Sequence, residues 1–279
     1  MKISDATVAA DASRLSRRLS AMRTGWRSNA SSWRRIGSVL LALAVWELAA
    51  RIIDNPLFFV SLTQVAVRGV QLWDAGELQV HIGTSLTELA IGLFLGIVVG
   101  IAIGAVMASS VALEDMFDPW VSMIYSMPII ALGPLFILWF GIGIASKVAI
   151  VFLMAVFPVI INSYTGLKNT DRDLLEAARS FASTPLQVFF KVRLPAAVPF
   201  IVSGIRNAIS RGLIGVVVSE FFGAEAGLGF LILYSAQVFD TAALFVGVFI
   251  LAFGGIGAVE ILRRVERRVA PWQARDDRN

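Results

Sequence analysis

The sequence predicts an all-α integral membrane protein with about six transmembrane helices, and three observations carry that prediction. Hydrophobic residues make up 57% of the 279 and charged residues only 16%, with a mean hydropathy of +0.77, which is too apolar for an ordinary soluble domain. The apolar residues gather into six runs, each close to the roughly 20 residues that a helix needs to cross about 30 Å of hydrocarbon. The basic residues concentrate on alternate sides of those runs, as expected where Lys and Arg favour the cytoplasmic face.

The expected spans are 36–52, 86–108, 121–140, 148–164, 197–222 and 242–262. They divide the chain into a basic N-terminal tail over 1–35, a transmembrane domain over 36–262 and a basic C-terminal tail over 263–279. The N-terminal tail holds eight Lys and Arg, the break between spans four and five holds five, and the C-terminal tail six. Arg68 and Lys147 are the basic residues of the opposite breaks. An even number of spans then places both termini and the 165–196 break in the cytoplasm. The short break 109–119 carries Glu114, Asp115 and Asp118 with no base, a weak dissent because acids contribute little to the rule. The N-terminal tail reads as a solvated tail or a helix lying on the membrane surface. Span one is expected to stay in the protein instead of being cleaved as a signal peptide, since five further spans follow and Glu47 interrupts its end.

Inside the spans, small and polar residues set expectations for packing. Gly92, Gly96, Gly100 and Gly104 recur every four residues, so they share one helix face and admit a close neighbour; the alternative is that this face lines a solute path. Pro128 and Pro134 flank Gly133 in span three, and each removes an intrahelical bond. A kinked or broken helix follows, forming either a pathway wall or a packing kink. Span five carries Arg206, Asn207, Ser210, Arg211 and Glu220, costly in a membrane unless turned to a cavity or partner. Arg206 is near enough to the inner end to snorkel. Arg211 is deeper and either contacts a neighbouring helix or faces a pathway, where a guanidinium suits an anion. Glu220 is out of phase with Arg211 on one helix.

Composition also excludes chemistries. There is no cysteine and one histidine, His81, so thiol catalysis, Cys/His metal sites and a nucleophilic triad have no residues to use. The glycine-rich stretches GIGIAS and GAEAGLGF lack the GxxxxGK[ST] pattern that cradles nucleotide phosphates. An isoelectric point near 9.8 follows from basic residues beside the spans, so no nucleic-acid partner is expected. The chain is not expected to be an enzyme or to carry a cofactor or metal. Energy for pumping must come from an ion gradient or another subunit.

One break resists a bland reading. EAARSFASTPLQVFFKVRLP, from Glu176 to Pro195, predicts a short helix over 176–182 with acids at its start, where the helix dipole favours them. Pro185 begins a second short helix that Pro195 ends before span five. A solvated loop would need neither the alanines nor Phe189 and Phe190, so this segment is expected to be gripped by a partner.

At these residues the sequence resembles the permease subunit of binding-protein-dependent ABC importers, whose signature loop reads EAA, then a glycine, then a later LP. Glu176, Ala177, Ala178, Leu194 and Pro195 match, while Ala182 stands at the glycine position. PIIALGPLFILWFGIG from Pro128, FPVIINSYTGL from Phe157 and VVSEFFGAEAGLGFLI from Val217 are similar to the nitrate, sulfonate and taurine type of that family, over roughly 56–268. The resemblance implies a type I ABC importer permease fold in the bacterial inner membrane. It implies that the loop, with Arg179 inside it, couples to the ATPase. Its implied partners are two ATPase subunits that bind ATP and Mg, a second permease chain that is a copy of this one, and an extracytoplasmic solute-binding protein. The implied solute is small and anionic, with a pyrimidine vitamin precursor or an aromatic acid as alternatives. An ATP-independent transporter or channel would instead predict inverted repeats or several intramembrane acids, and the sequence shows no such repeat.

Overall fold

The computed structural model describes residues 34, 36–53 and 55–269. The expected N-terminal tail, apart from Arg34, lies outside them, as do residues 270–279. Every regular element among the described residues is helical. Five helices are long and apolar enough to cross a membrane, and a bent pair brings the number to six.

The described residues form two compact units that divide between Val65 and Ala66. In the first, α1 (Ile36–Ile53) is followed by a turn that its own side chains hold. Trp46 Nε1 donates to Val60 O at 3.0 Å, and Glu47 accepts from Leu62 N at 2.8 Å and Thr63 Oγ1 at 3.1 Å. The acid that interrupts span one thus supplies an acceptor for the orphan Leu62 N–H at the start of α2 (Leu62–Asp74).

The second unit is built around α6 (Ile144–Lys168), which packs between α3 (Glu77–Met107) and α9 (Leu194–Phe221). Val151, Ala155 and Val159 of α6 are fully buried. Lipid tails are as apolar as Leu, so helices in a bilayer associate through close van der Waals fit more than through hydrophobic burial. The four glycines of α3 provide that fit: a Cβ on Gly96 would lie 2.9 Å from Ala155 Cβ, and one on Gly100 2.7 Å from Val159 Cβ. On the other flank, Gly204 of α9 meets Asn162, and a Cβ there would lie 2.8 Å from the Asn162 Cβ.

Span three is broken. α4 (Val111–Ser126) and the segment Ile129–Phe140, a short 3-10 turn (Ile129–Leu132) leading into α5 (Gly133–Phe140), are bent by 82°. Met127 is extended, with ψ at 144°, the conformation that a following proline imposes, so Pro128 makes the break. Pro134 lies in the first turn of α5, where its missing N–H costs nothing.

Several expected boundaries move. The break 109–119 is mostly helix: Ser110 accepts from Leu113 N to cap α4, which runs through Pro119. Spans two and four are longer than expected, starting at Glu77 and Ile144. In the 165–196 break, α7 (Arg172–Ser180) starts before Glu176 because Asp171 accepts from Asp173 N at 2.8 Å. Pro195 does not end a helix. α8 (Pro185–Val188) passes through a π turn, Phe189–Arg193, into α9, giving one helical run over Pro185–Phe221. Leu194 N closes that turn on Phe189 O, so the wider turn is complete before Pro195, which enters α9 in its first turn. After α10 (Leu228–Gln237), α11 (Thr241–Val269) continues past Leu262, where a tail was expected. Its end is tied back by Arg206 Nη2 to Glu266 at 2.7 Å.

Candidate functional site

Two sites emerge, one at each end of the central helices. The first is the α7–α8 segment. No residue of α7 is buried, and Phe181, Leu186 and Phe190 are exposed, Phe181 at 84%. The helix ends in a Schellman motif: Ala182 N donates to Arg179 O at 2.9 Å and Ser183 N to Ala178 O at 3.3 Å. Ala182 holds the left-handed conformation this motif needs, with φ at 52°. The tight turn is therefore kept although alanine replaces glycine. Thr184 and Gln187 then exchange side-chain and backbone bonds in a capping box around Pro185.

The segment is anchored from beneath. Phe189 packs with Ala105 and Ala108 near the end of α3, Leu167 of α6, and Ala197 and Ile201 of α9. Glu176, Ala177 and Arg179 are exposed, Ala178 is half-buried, and Leu194 and Pro195 are half-buried at the start of α9. The arrangement is a rigid, outward-facing pair of short helices with aromatic knobs, joined without a break to a membrane-spanning helix.

The second site lies at the opposite ends of α3, α6 and α9. Glu220, expected along a pathway, is 1% exposed: it accepts from Ser85 Oγ of α3 and from Gly229 N of α10, both at 2.5 Å. Ser85 Oγ in turn accepts from Leu228 N at 2.7 Å, and His81 Nδ1 accepts from Gly227 N at 3.1 Å. These bonds fold the 222–229 connection onto α3. Glu88 of α3 and Lys147 of α6, 2% and 4% exposed, complete the cluster, the Glu88 carboxyl meeting that of Glu220. Sequence reasoning missed both: Lys147 counted as a loop base, and Glu88 went unremarked although a lone acid in an apolar run is itself a signal.

Between the two ends, α9 shows a polar stripe. Ser203, Asn207, Ser210 and Arg211 are exposed on its face turned from α6, spaced as one side of a helix. Arg211 Nη2 donates to Tyr125 Oη of α4 at 2.7 Å, with its guanidinium 4.8 Å from the ring centre. Pro128 and Pro134 are exposed beside α4 and α5. Arg206 is paired with Glu266, which identifies its partner as α11.

Residues 92–271 match the family model described as "Binding-protein-dependent transport system inner membrane component". The chain belongs to this family. It is a multi-pass permease subunit of the ABC importer class, in the bacterial inner membrane. Among its relatives, the formylaminopyrimidine transport permease protein ThiX of Halalkalibacterium halodurans is 33% identical over 84% of this chain and 93% of its own length. The putative aliphatic sulfonates transport permease protein SsuC of Bacillus subtilis is 33% identical, over 83% of this permease and 84% of that one. The taurine transport system permease protein TauC of Escherichia coli is 29% identical, over 85% and 88%. In three dimensions, an amino acid ABC transporter crystallised with histidines shares the fold at a TM-score of 0.60 and 17% identity, over 71% of this permease and 97% of that chain.

Proposed function

We propose that this permease is the solute-translocating subunit of an ATP-driven importer, moved by separate ATPase subunits that grip α7 and α8. The observation that carries this is the α7–α8 segment, which exposes Phe181, Leu186 and Phe190 on a scaffold too well capped to be a solvated loop. Two ATPase subunits hold ATP and Mg, since the sequence has no phosphate-binding loop, and their closure draws two such segments together. The termini and α7–α8 are cytoplasmic by the distribution of basic residues. A second copy of this chain forms the other half of the pathway and covers the stripe of Ser203, Asn207, Ser210 and Arg211, which lipid would not tolerate. A ligand-loaded binding protein on the outer side favours the outward-open state, which ties ATP use to solute.

The solute is small and carries an acidic group. Arg211 on the polar stripe suits an oxyanion, and an aliphatic sulfonate and taurine are named among the substrates of relatives. The test is ATP-dependent uptake by the reconstituted importer with its binding protein. Glu176→Lys is expected to abolish uptake while the chain still enters the membrane; unchanged uptake would sink the coupling assignment.

A further inference from the structure

The cavity at the open ends of α3 and α6 brings together groups that ATP coupling does not use. It has a volume of about 550 Å³, and its wall includes Glu88, Lys147, Thr84 and Thr87, with Glu225 also contributing. That volume lies within the range of small-molecule sites, which are concave and carry a few convergent polar groups. Glu88 and Lys147 are each more than nine-tenths buried, and Glu88 Oε2 is sealed without a hydrogen-bond partner. Lys147 Nζ donates to Gly143 O at 3.0 Å, which uses one of its three N–H groups. An acid and a base left so thinly satisfied inside a membrane protein are costly, and such groups persist where a partner or ligand completes them.

The neighbouring acid does not complete them. Glu220 is already engaged by Ser85 and Gly229, and a second carboxyl offers Glu88 acceptors where it needs a donor. The remaining capacity of Glu88 is to accept, and that of Lys147 is to donate.

We propose that this cavity is a solute site of the permease and takes a small zwitterion, its acidic group against Lys147 and its amino group against Glu88. This rests on the importer function proposed above and narrows it: under that orientation the cavity opens on the outer side, where the binding protein releases its load. Thr84 and Thr87 supply neutral hydroxyls on the α3 wall, and Glu225 at the exposed rim draws the cationic end inward.

The test is titration of the purified permease–ATPase complex with taurine and β-alanine, which carry both charges, and with isethionate, in which a hydroxyl replaces the ammonium of taurine. The zwitterions are expected to bind at least about tenfold more tightly than isethionate, the scale of one charge-assisted contact. Glu88→Gln is expected to bring taurine down to the level of isethionate, and Lys147→Met to abolish binding of both. Equal binding of taurine and isethionate, no binding of either zwitterion to the wild-type complex, or wild-type affinity in both variants would overturn the proposal. Glu88→Asp guards against misfolding, because it restores discrimination in part only if the carboxyl itself is read. ATP-driven uptake with the binding protein is measured separately; if it persists while the titration fails, the importer function stands and this site falls.

Discussion

Ala182 donates its backbone N–H to Arg179 O at 2.9 Å while itself in the left-handed conformation, with φ at 52°. An L-residue with a Cβ is held there against roughly 1–2 kcal/mol of steric cost, relieved by glycine at the expense of unfolded-chain entropy. Ala182→Gly is therefore expected to stabilise the end of α7 by about 0.5–1 kcal/mol. Amide exchange over 176–183 should slow about two- to fivefold, and unchanged or faster exchange would contradict the capping argument. Ala182→Val should act in the opposite direction.

The contact between α3 and α6 leads to a second prediction. A Cβ on Gly92 would lie 2.5 Å from Val151 Cγ1, whereas one on Gly254 would meet nothing within 4 Å. Gly92→Ala is expected to destabilise the solubilised protein by about 1–3 kcal/mol, the usual scale of overpacking. Gly254→Ala should be neutral or slightly stabilising, since alanine is the better helix former. Thermal unfolding in detergent separates the two, and equal melting temperatures would show that α3 and α6 can part freely.

Glu220 supplies a third. Removing its carboxylate with Glu220→Ala leaves Gly229 N–H and Ser85 Oγ without their acceptor, at a cost of about 1–3 kcal/mol for each buried group so orphaned. Increased proteolysis or exchange over 222–229 is the expected local sign. Glu220→Gln keeps one carbonyl acceptor and should be milder; equal effects would mean that the hydrogen bonds do not hold this connection.

A fourth concerns Arg206 and Glu266, 2.7 Å apart across α9 and α11 with side chains 42% and 23% exposed. An exposed pair of this kind is worth at most about 1 kcal/mol. Arg206→Glu should lower stability modestly, and the exchange Arg206→Glu with Glu266→Arg should recover most of the loss. A double variant no better than the single one would show that Arg206 acts through something other than this ion pair.

Much of the architecture was legible because a bilayer leaves few options: apolar runs of span length become helices, and Pro128 interrupts one of them. Element ends were less legible, since Asp171 and Ser110 extended helices through caps whose value depends on the local turn. Pro195 misled for a related reason. Its effect depends on whether the turn before it is α or π, and composition does not reveal that. Within the sites, the EAA stretch announced itself by its contrast with the surrounding apolar sequence. Ser85 and Glu88 come from α3 and Lys147 from α6, and only folding shows that they share a neighbourhood with Glu220 of α9.

The π turn at Phe189–Arg193 leaves the run from Pro185 to Phe221 a single helix of 37 residues, about 55 Å long at 1.5 Å per residue. Such a rod acts as a lever. A tilt of about 5° imposed at Pro185 moves its far end by about 5 Å, roughly the rise of one helical turn. That far end carries Glu220, whose bonds to Ser85 and Gly229 fold the 222–229 connection onto α3. A small displacement at Pro185 is thus large enough, at the other end of one unbroken helix, to strain those two bonds.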